Sequence, residues 1–231
     1  MNTITTPAVP LTKVTPTFRI KEPGSAITHF IGMIAAAASM PFLLEKALAH
    51  TSSCYPISVL LFMGSMILLY AASTVYHTVI AAEKTTLFLK KLDHIMIYFL
   101  IAGSYTPVCL LVLPSGQGMF LCTLVWAFAI AGLFLSLLWI NSPKWLNSTI
   151  YIIMGWLCLL NIGSIYANMS APCFAWLFAG GVIYTIGGII YALKLPVLNS
   201  LLPNFGSHEI FHLFVMAGSF CHVIVVYGYL I

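Results

Sequence analysis

The stretch Gly206-Ser-His-Glu-Ile-Phe-His212 opens the last of several long apolar runs in the chain, a run that continues to residue 230. It places His208 and His212 four residues apart. Because an α-helix has about 3.6 residues per turn, both imidazoles lie on one helical face and can reach a common ligand. Two histidines inside a membrane helix are costly without partners, so we expect the rest of the chain to supply these partners.

The composition of the chain is that of an integral membrane protein. Of its 231 residues, 61% are hydrophobic and 6% are charged, with a mean hydropathy of +1.04, whereas about 25% of residues are charged in soluble domains. Nine Lys/Arg against five Asp/Glu are too sparse for nucleic-acid binding. The six cysteines form no C-x-x-C pair, so we expect buried thiols. One alternative is a bridge between Cys54 and Cys173, both near predicted external helix ends.

Seven apolar runs have about the 20 residues that are needed to cross a bilayer. They cover residues 24–45, 56–81, 91–113, 117–140, 146–167, 173–194 and 207–230. Residues 1–20 contain three prolines and no long apolar core, so we expect a flexible tail followed by one transmembrane domain over residues 21–231. The polar segment 83–86 is expected to be a loop. The predicted fold class is all-α, a bundle of seven transmembrane helices.

Lysine and arginine predict the orientation of the bundle, because basic loops stay in the cytoplasm. With seven spans, eight basic residues fall on the side of the N-terminus, and Lys46 alone falls on the other side. The eight are Lys13, Arg19, Lys21, Lys84, Lys90, Lys91, Lys144 and Lys194. We therefore expect a cytoplasmic N-terminus and an external C-terminus.

This topology brings polar residues of several helices to one depth, towards the cytoplasmic side. Ser73 and His77 lie near the end of the second run, Asp93 lies near the start of the third, and His208 and His212 open the seventh. The start of the first run adds Glu22, Ser25 and His29. Polar residues scattered without a function would divide between the two sides.

The side chains at this depth fit a divalent metal site. Three protein ligands and a water are the usual arrangement at catalytic Zn²⁺, and His77, His208 and His212 supply three imidazoles. Asp93, the only aspartate in the chain, is suited to hold or deprotonate a water on the metal. Ser73, one turn before His77, is suited to bond the same water or an oxyanion.

Simpler roles stay open for several of these residues. A single histidine near a membrane interface is usually solvated or hydrogen-bonded, which we expect for His94. His29 has either a structural role or a role beside the ligands, and His222 is expected to bond a neighbouring helix rather than a metal. Asp93 could instead cap the third helix, where a carboxylate is favourable. Glu209 is expected to face the cytoplasmic interface.

Three segments of the chain resemble the haemolysin III proteins. These proteins are similar to the progestin and adipoQ receptor family and, in a proposed superfamily of membrane hydrolases, to alkaline ceramidases. The segments are Ser73-Thr-Val-Tyr-His77, Lys91-Leu-Asp-His94 with Ile101-Ala-Gly-Ser-Tyr-Thr-Pro107, and His208-Glu-Ile-Phe-His212. The resemblance covers residues 20–231 and implies a seven-helix bundle with a cytoplasmic N-terminus.

The resemblance also implies a metal and its ligands. In the adipoQ receptor branch, the histidines that match His77, His208 and His212 bind zinc, and the aspartate that matches Asp93 contacts the metal-bound water. The first-helix pattern of the family is kept at Glu22 and His29 but not between them, because Ser25 stands where asparagine is usual.

The leading hypothesis is a multi-pass protein of the bacterial cytoplasmic (inner) membrane that hydrolyses an amide or ester bond of membrane lipids. In this hypothesis Zn²⁺ activates water, Asp93 is the general base and Ser73 helps to hold the oxyanion. One alternative is a non-enzymatic sensor or regulator of the membrane in which zinc is structural. Another is a pore-forming haemolysin, although every span is strongly apolar and none carries a continuous polar stripe. No nucleic-acid partner is expected, and the sequence predicts no oligomeric state.

Overall fold

The computed structural model describes residues 19–139, 143–193 and 206–231, and every regular element in these ranges is helical. The helices are α1 (Pro23–Leu48), α2 (Cys54–Thr78), α3 (Glu83–Leu111), α4 (Ser115–Leu138), α5 (Lys144–Gly155), α6 (Ile162–Asn168), α7 (Ala171–Leu193) and α8 (Ser207–Val225). A 3₁₀ turn, Leu157–Asn161, joins α5 to α6, and a π turn, Val226–Leu230, follows α8.

Seven spans in the described part of the chain are long and apolar enough to cross a membrane, which confirms the predicted fold class. Helices α5 and α6 with the turn between them form the fifth span, Trp145–Asn168. The orientation of the bundle in the membrane stays a prediction. The predicted tail, residues 1–20, lies outside the described residues except for its last two positions.

Helix α3 begins earlier than its apolar run. The prediction of a loop at residues 83–86 is wrong, because α3 starts at Glu83, whose carboxylate is favourable at the positive end of the helix dipole. The first two turns carry lysines and extend the helix beyond its apolar part. Asp93 therefore lies in the third turn, where backbone N–H groups already have partners within the helix. The alternative that Asp93 caps α3 is wrong.

Helices α2 and α3 occupy the centre of the bundle. In the most apolar 18-residue windows of these two spans 56% of residues are buried, against 11% in the fifth span. Helix α2 packs against α1 and α3, α4 packs against α3, and α7 packs against α8. One apolar core includes Phe62 and Tyr70 between α1, α2 and α8. A second core includes Leu121 and Met154 between α3, α4 and α5.

Glycine lets two pairs of helices approach closely. A Cβ added to Gly103 of α3 would lie 2.1 Å from the hydroxyl of Ser65 on α2, and one added to Gly180 of α7 would lie 2.5 Å from the ring of His222 on α8. Small residues commonly take this part at helix contacts in membranes.

The six cysteines are free thiols, so the alternative of a bridge between Cys54 and Cys173 is wrong. Cys54 begins α2, which packs against α1 and α3, whereas Cys173 lies in α7, which packs against α8 and α5. The two thiols belong to different helix pairs, although both lie near the same end of the bundle.

Candidate metal centre

Three histidines converge where α2 ends and α8 begins. His77 lies in the last turn of α2, and His208 and His212 lie in the first two turns of α8. One ring nitrogen of each lies within 4.8 Å of the other two, so the group could hold a metal ion. His77 and His212 are buried, and His208 is half-buried. The structure thus brings together the three histidines that the sequence nominates as ligands.

Hydrogen bonds identify the ring nitrogens that face one another. Nδ1 of His77 bonds the carboxylate of Glu22. Nδ1 of His212 lies 3.3 Å from the carbonyl oxygen of Ser25 and 3.4 Å from Oγ1 of Thr28. The Nδ1 atoms of both rings thus contact α1 or the residue before it, which leaves the Nε2 atom of each ring for a metal. Nε2 of His77 lies 3.3 Å from Nε2 of His208, and two nitrogens on a tetrahedral zinc ion are also roughly 3.3 Å apart.

The end of α2 holds Glu22 in place through its backbone. The last carbonyls of a helix lack donors within the helix. Glu22 N–H donates to the carbonyl of His77 at 2.9 Å, and Lys21 N–H donates to that of Thr78 at 3.3 Å. The hydrogen bond with His77 outweighs partial burial and lowers the pKa of Glu22. A carboxylate on the outer nitrogen of a ligating histidine fixes the ring and raises its basicity. The sequence places Glu22 at the correct depth but does not reveal this contact, which joins residues 55 positions apart.

A second carboxylate joins α1 to α8. Ser25 Oγ donates to Oε1 of Glu209 at 2.7 Å, and Gly206 N–H donates to Oε2 at 2.8 Å. Glu209 does not belong to the histidine cluster. Its carboxylate bonds α1, a contact that the sequence does not predict. The expectation that Glu209 faces the cytoplasmic interface stays a prediction. Ser25, which departs from the family pattern, takes part in this link.

His29 of α1 supports the ring of His212. The two ring centroids are 3.7 Å apart and the planes differ by 8°, which is a stacked arrangement. His29 is 3% exposed, and within the described ranges neither of its ring nitrogens has a hydrogen-bond partner. The ring centroid of Tyr70 lies 5.0 Å from that of His29. The stacked ring of His29 restricts how the ring of His212 can turn.

An apolar cavity of about 120 Å³ adjoins two of the three clustered histidines, His208 and His212. Ser73 and Asp93, the predicted catalytic residues, line it together with His208 and His212. Ser73 is fully buried, and its hydroxyl has no hydrogen-bond partner in the described part of the chain. Asp93 is 8% exposed. Asp93 shares the cavity but does not belong to the cluster of nitrogens. Its predicted role as a base is compatible with this place.

His222 takes a structural place deeper in the bundle. Its Nδ1 lies 2.8 Å from the carbonyl oxygen of Gly218 in the same helix. The expectation that His222 bonds a neighbouring helix is wrong. Its ring packs on the backbone of α7 because Gly180 has no side chain there. His94 links α3 to α5 through its backbone, because its carbonyl accepts a hydrogen bond from the hydroxyl of Tyr151 at 3.3 Å.

Comparison with known proteins gives the family. A family model described as Haemolysin-III related matches residues 18–223, which include all three clustered histidines. The chain belongs to the haemolysin III family. The Hemolysin-3 homolog of Bacillus subtilis (strain 168) is 36% identical over 203 residues, 87% of this chain and 91% of that protein. Hemolysin-3 of Bacillus cereus is 35% identical over 200 residues, 86% and 87% of the two chains.

A more distant relative of this haemolysin III family member is the Adiponectin receptor protein of Drosophila melanogaster. It is 27% identical over 234 residues, 89% of this chain and 50% of that protein. The family and the seven apolar spans together make the chain an integral, multi-pass membrane protein. The family assignment confirms the resemblance found in the sequence segments that carry Ser73, Asp93 and the three histidines.

Proposed function

We propose that the protein is a zinc-dependent hydrolase that cleaves an amide or ester bond of a membrane lipid. The observation that supports this most is that the histidine cluster lies next to a cavity with other polar groups. Three imidazoles converge on one point beside an apolar cavity, and a carboxylate and a buried hydroxyl line the same cavity. A lipid requires such a combination, with apolar walls for its chain and polar groups for the bond that reacts.

The chemistry of the ligands favours zinc over other metals. Calcium and magnesium prefer oxygen ligands, whereas imidazole suits zinc. Three histidine ligands leave one position open, as in catalytic rather than structural zinc sites. The carboxylate of Glu22 on His77 adds the outer contact that ligating histidines usually have.

The residues of the chain divide the reaction between them. His77, His208 and His212 would hold the zinc ion, whose chemistry there would be to polarise a carbonyl and to make water more acidic. Asp93 takes the proton of the water that attacks the carbonyl carbon. It returns this proton to the leaving amine or alcohol as the C–N or C–O bond breaks. Ser73 donates a hydrogen bond to the carbonyl oxygen as negative charge develops there.

The distribution of lysine and arginine indicates on which side of the membrane this site lies. We propose that the histidine cluster lies towards the cytoplasmic face of the cytoplasmic membrane, because basic residues flank the same helix ends. Arg19 and Lys21 precede α1, and Lys84, Lys90 and Lys91 occupy the start of α3.

Replacement of Asp93 by asparagine tests the hydrolysis. We expect Asp93→Asn to keep its zinc and its melting temperature, and to lose about 10²-fold or more in turnover, because general base catalysis contributes about 10²–10⁴. The measurement is product formation from defined long-chain lipid amides and esters, with lipid profiling of cells that carry each variant. Glu83→Gln, an exposed carboxylate of the same helix, is the matched control. Equal product from Asp93→Asn and the parent would contradict the proposal.

A membrane sensor with structural zinc is the second candidate, and the similarity to a protein named as a receptor favours it. In this case no lipid product forms with any variant, and loss of the metal lowers stability or signalling. Zinc removal followed by thermal unfolding and product analysis separates the two candidates.

Lysis of other cells is suggested only by the names of the Bacillus relatives. The described spans present many large apolar side chains on their outer surfaces, such as Phe42, Phe88 and Phe220, which suits contact with lipid. Liposomes that contain the pure protein should retain a trapped dye. Rapid leakage that does not depend on metal would favour the lytic function.

A further inference from the structure

Ser148 of α5 is a buried polar group to which neither the metal nor the proposed reaction gives a role. Its side chain is 2% exposed, and its hydroxyl has no hydrogen-bond partner among the residues that the structure describes. It lines the cavity that adjoins the histidine cluster. A buried hydroxyl without a partner lowers stability, so such groups usually meet a ligand or a water.

Several other hydroxyls in the bundle have a partner within their own helix. Serine and threonine in membrane helices usually bond a carbonyl of the preceding turn. Ser58, Ser65 and Ser104 do so at 2.8 Å. Thr149, the next residue after Ser148, bonds the carbonyl of Trp145 at 2.8 Å. The hydroxyl of Ser148 is therefore not held by its own helix, although the same turn satisfies its neighbour.

The surroundings make Ser148 the available polar group on this wall of the cavity. The other polar side chains that the fifth span presents there are already bonded. Tyr151 donates to the carbonyl of His94 at 3.3 Å, and Trp156 Nε1 donates to Oγ1 of Thr185 at 2.9 Å. The bond from Tyr151 to His94 also ties this wall to α3 beside Asp93, so Ser148 lies at the same end of the bundle as the metal cluster.

From these observations we infer that Ser148 forms a second polar subsite, which binds a hydroxyl group on the head of the lipid whose carbonyl meets the metal. This inference rests on the proposed function. A serine hydroxyl both donates and accepts, which matches a ligand hydroxyl. Ile97, Ile101 and Ile152 line the same cavity, so the rest of the ligand is apolar. Ser148 is a specificity residue, and the bond-breaking groups stay Asp93 and Ser73.

The test compares two lipids that differ in one hydroxyl. The probes are a long-chain N-acylethanolamine and its O-methyl ether, titrated into the full-length, zinc-loaded protein in detergent. The parent should bind the hydroxyl form about tenfold more tightly, as expected for one hydrogen bond. Ser148→Ala should reduce this ratio to about one by weakening only the hydroxyl form. Thr149→Ala, which alters an exposed hydroxyl one residue away, should keep the ratio of the parent.

Two results would overturn the subsite. One is that the parent protein binds both lipids equally. The other is that the Ser148→Ala variant folds with an unchanged melting temperature and still prefers the hydroxyl form. Short-chain N-acetylethanolamine is a further probe, and binding as tight as that of the lipid would show that the ligand is a small polar molecule instead.

Binding and turnover separate this inference from the proposed function. A protein that prefers the hydroxyl lipid through Ser148 but never cleaves it contradicts the hydrolysis and supports the subsite. A hydrolase that is indifferent to the hydroxyl supports the hydrolysis and overturns the subsite.

Discussion

The central helices and the fifth span are held in place by different means. Helices α2 and α3 are 56% buried in their most apolar windows and touch through small residues such as Gly103 and Ser65. The fifth span is 11% buried and is interrupted by a 3₁₀ turn. Side-chain hydrogen bonds secure the interruption. Tyr105 donates to the carbonyl of Gly155 and accepts from the N–H of Cys158.

This difference separates the two tasks of the site. The histidine cluster is built on α2 and α8. Glu22, just before α1, and Ser25 and His29 of α1 contact the histidines or their helix. A metal site needs such rigid support, because small errors in ligand position weaken binding. The fifth span lines another part of the cavity beside this cluster, where it contributes Ser148. We infer that the closely packed side holds the metal and the sparsely packed side selects the ligand.

Alanine at two glycines should give the largest contrast between these regions. In Gly103→Ala, the new methyl would lie 2.1 Å from Oγ of Ser65 and 2.9 Å from the carbonyl of Leu61. Such overpacking costs about 1–3 kcal/mol. In Gly163→Ala of α6, no atom of the described residues lies within 4 Å of the new methyl, and alanine favours the helix by about 1 kcal/mol. Thermal unfolding in detergent should show a clear fall for the first variant and no fall for the second. Equal falls would contradict the contrast in packing.

The carboxylate on His77 should give the next largest effect. We expect Glu22→Gln to weaken zinc binding about 10–100-fold, because outer partners of metal ligands contribute that much. Competition with a chelator measures the dissociation constant. Glu45→Gln, an exposed carboxylate near the other end of α1, should leave it unchanged. An unaltered constant in Glu22→Gln would remove Glu22 from the metal site.

Loss of one hydroxyl on the fifth-span side should give the smallest effect. Tyr105→Phe removes the bonds to Gly155 and Cys158 while it keeps the ring, and should lower the free energy of unfolding by about 1 kcal/mol. Zinc affinity should not change, because the metal cluster lies on other helices. Denaturant unfolding and the chelator competition measure the two quantities on the same sample. A fall in zinc affinity would show that the two regions are not independent.

The sequence predicts the spans and the three histidines, because both follow from regular spacing. Apolar length defines the helices, and the distance of four residues with alternating topology brings His77 to His208 and His212. Contacts set by tertiary packing were beyond such reasoning. The bond from Glu22 to His77 depends on how the chain before α1 crosses the end of α2. Nothing in the sequence distinguishes Ser148 from Thr149, although the hydroxyl of Thr149 bonds its own helix and that of Ser148 does not. The start of α3 was misplaced because charged residues continue a helix beyond its apolar part.

Metal analysis of the purified protein tests the central claim most directly. The parent and His50→Ala, which alters an exposed histidine stacked on Tyr55, should both contain stoichiometric zinc. The double variant His208→Ala/His212→Ala should contain none while it remains folded. A parent protein without stoichiometric zinc, or a double variant that retains it, would contradict the claim that these histidines form a zinc site.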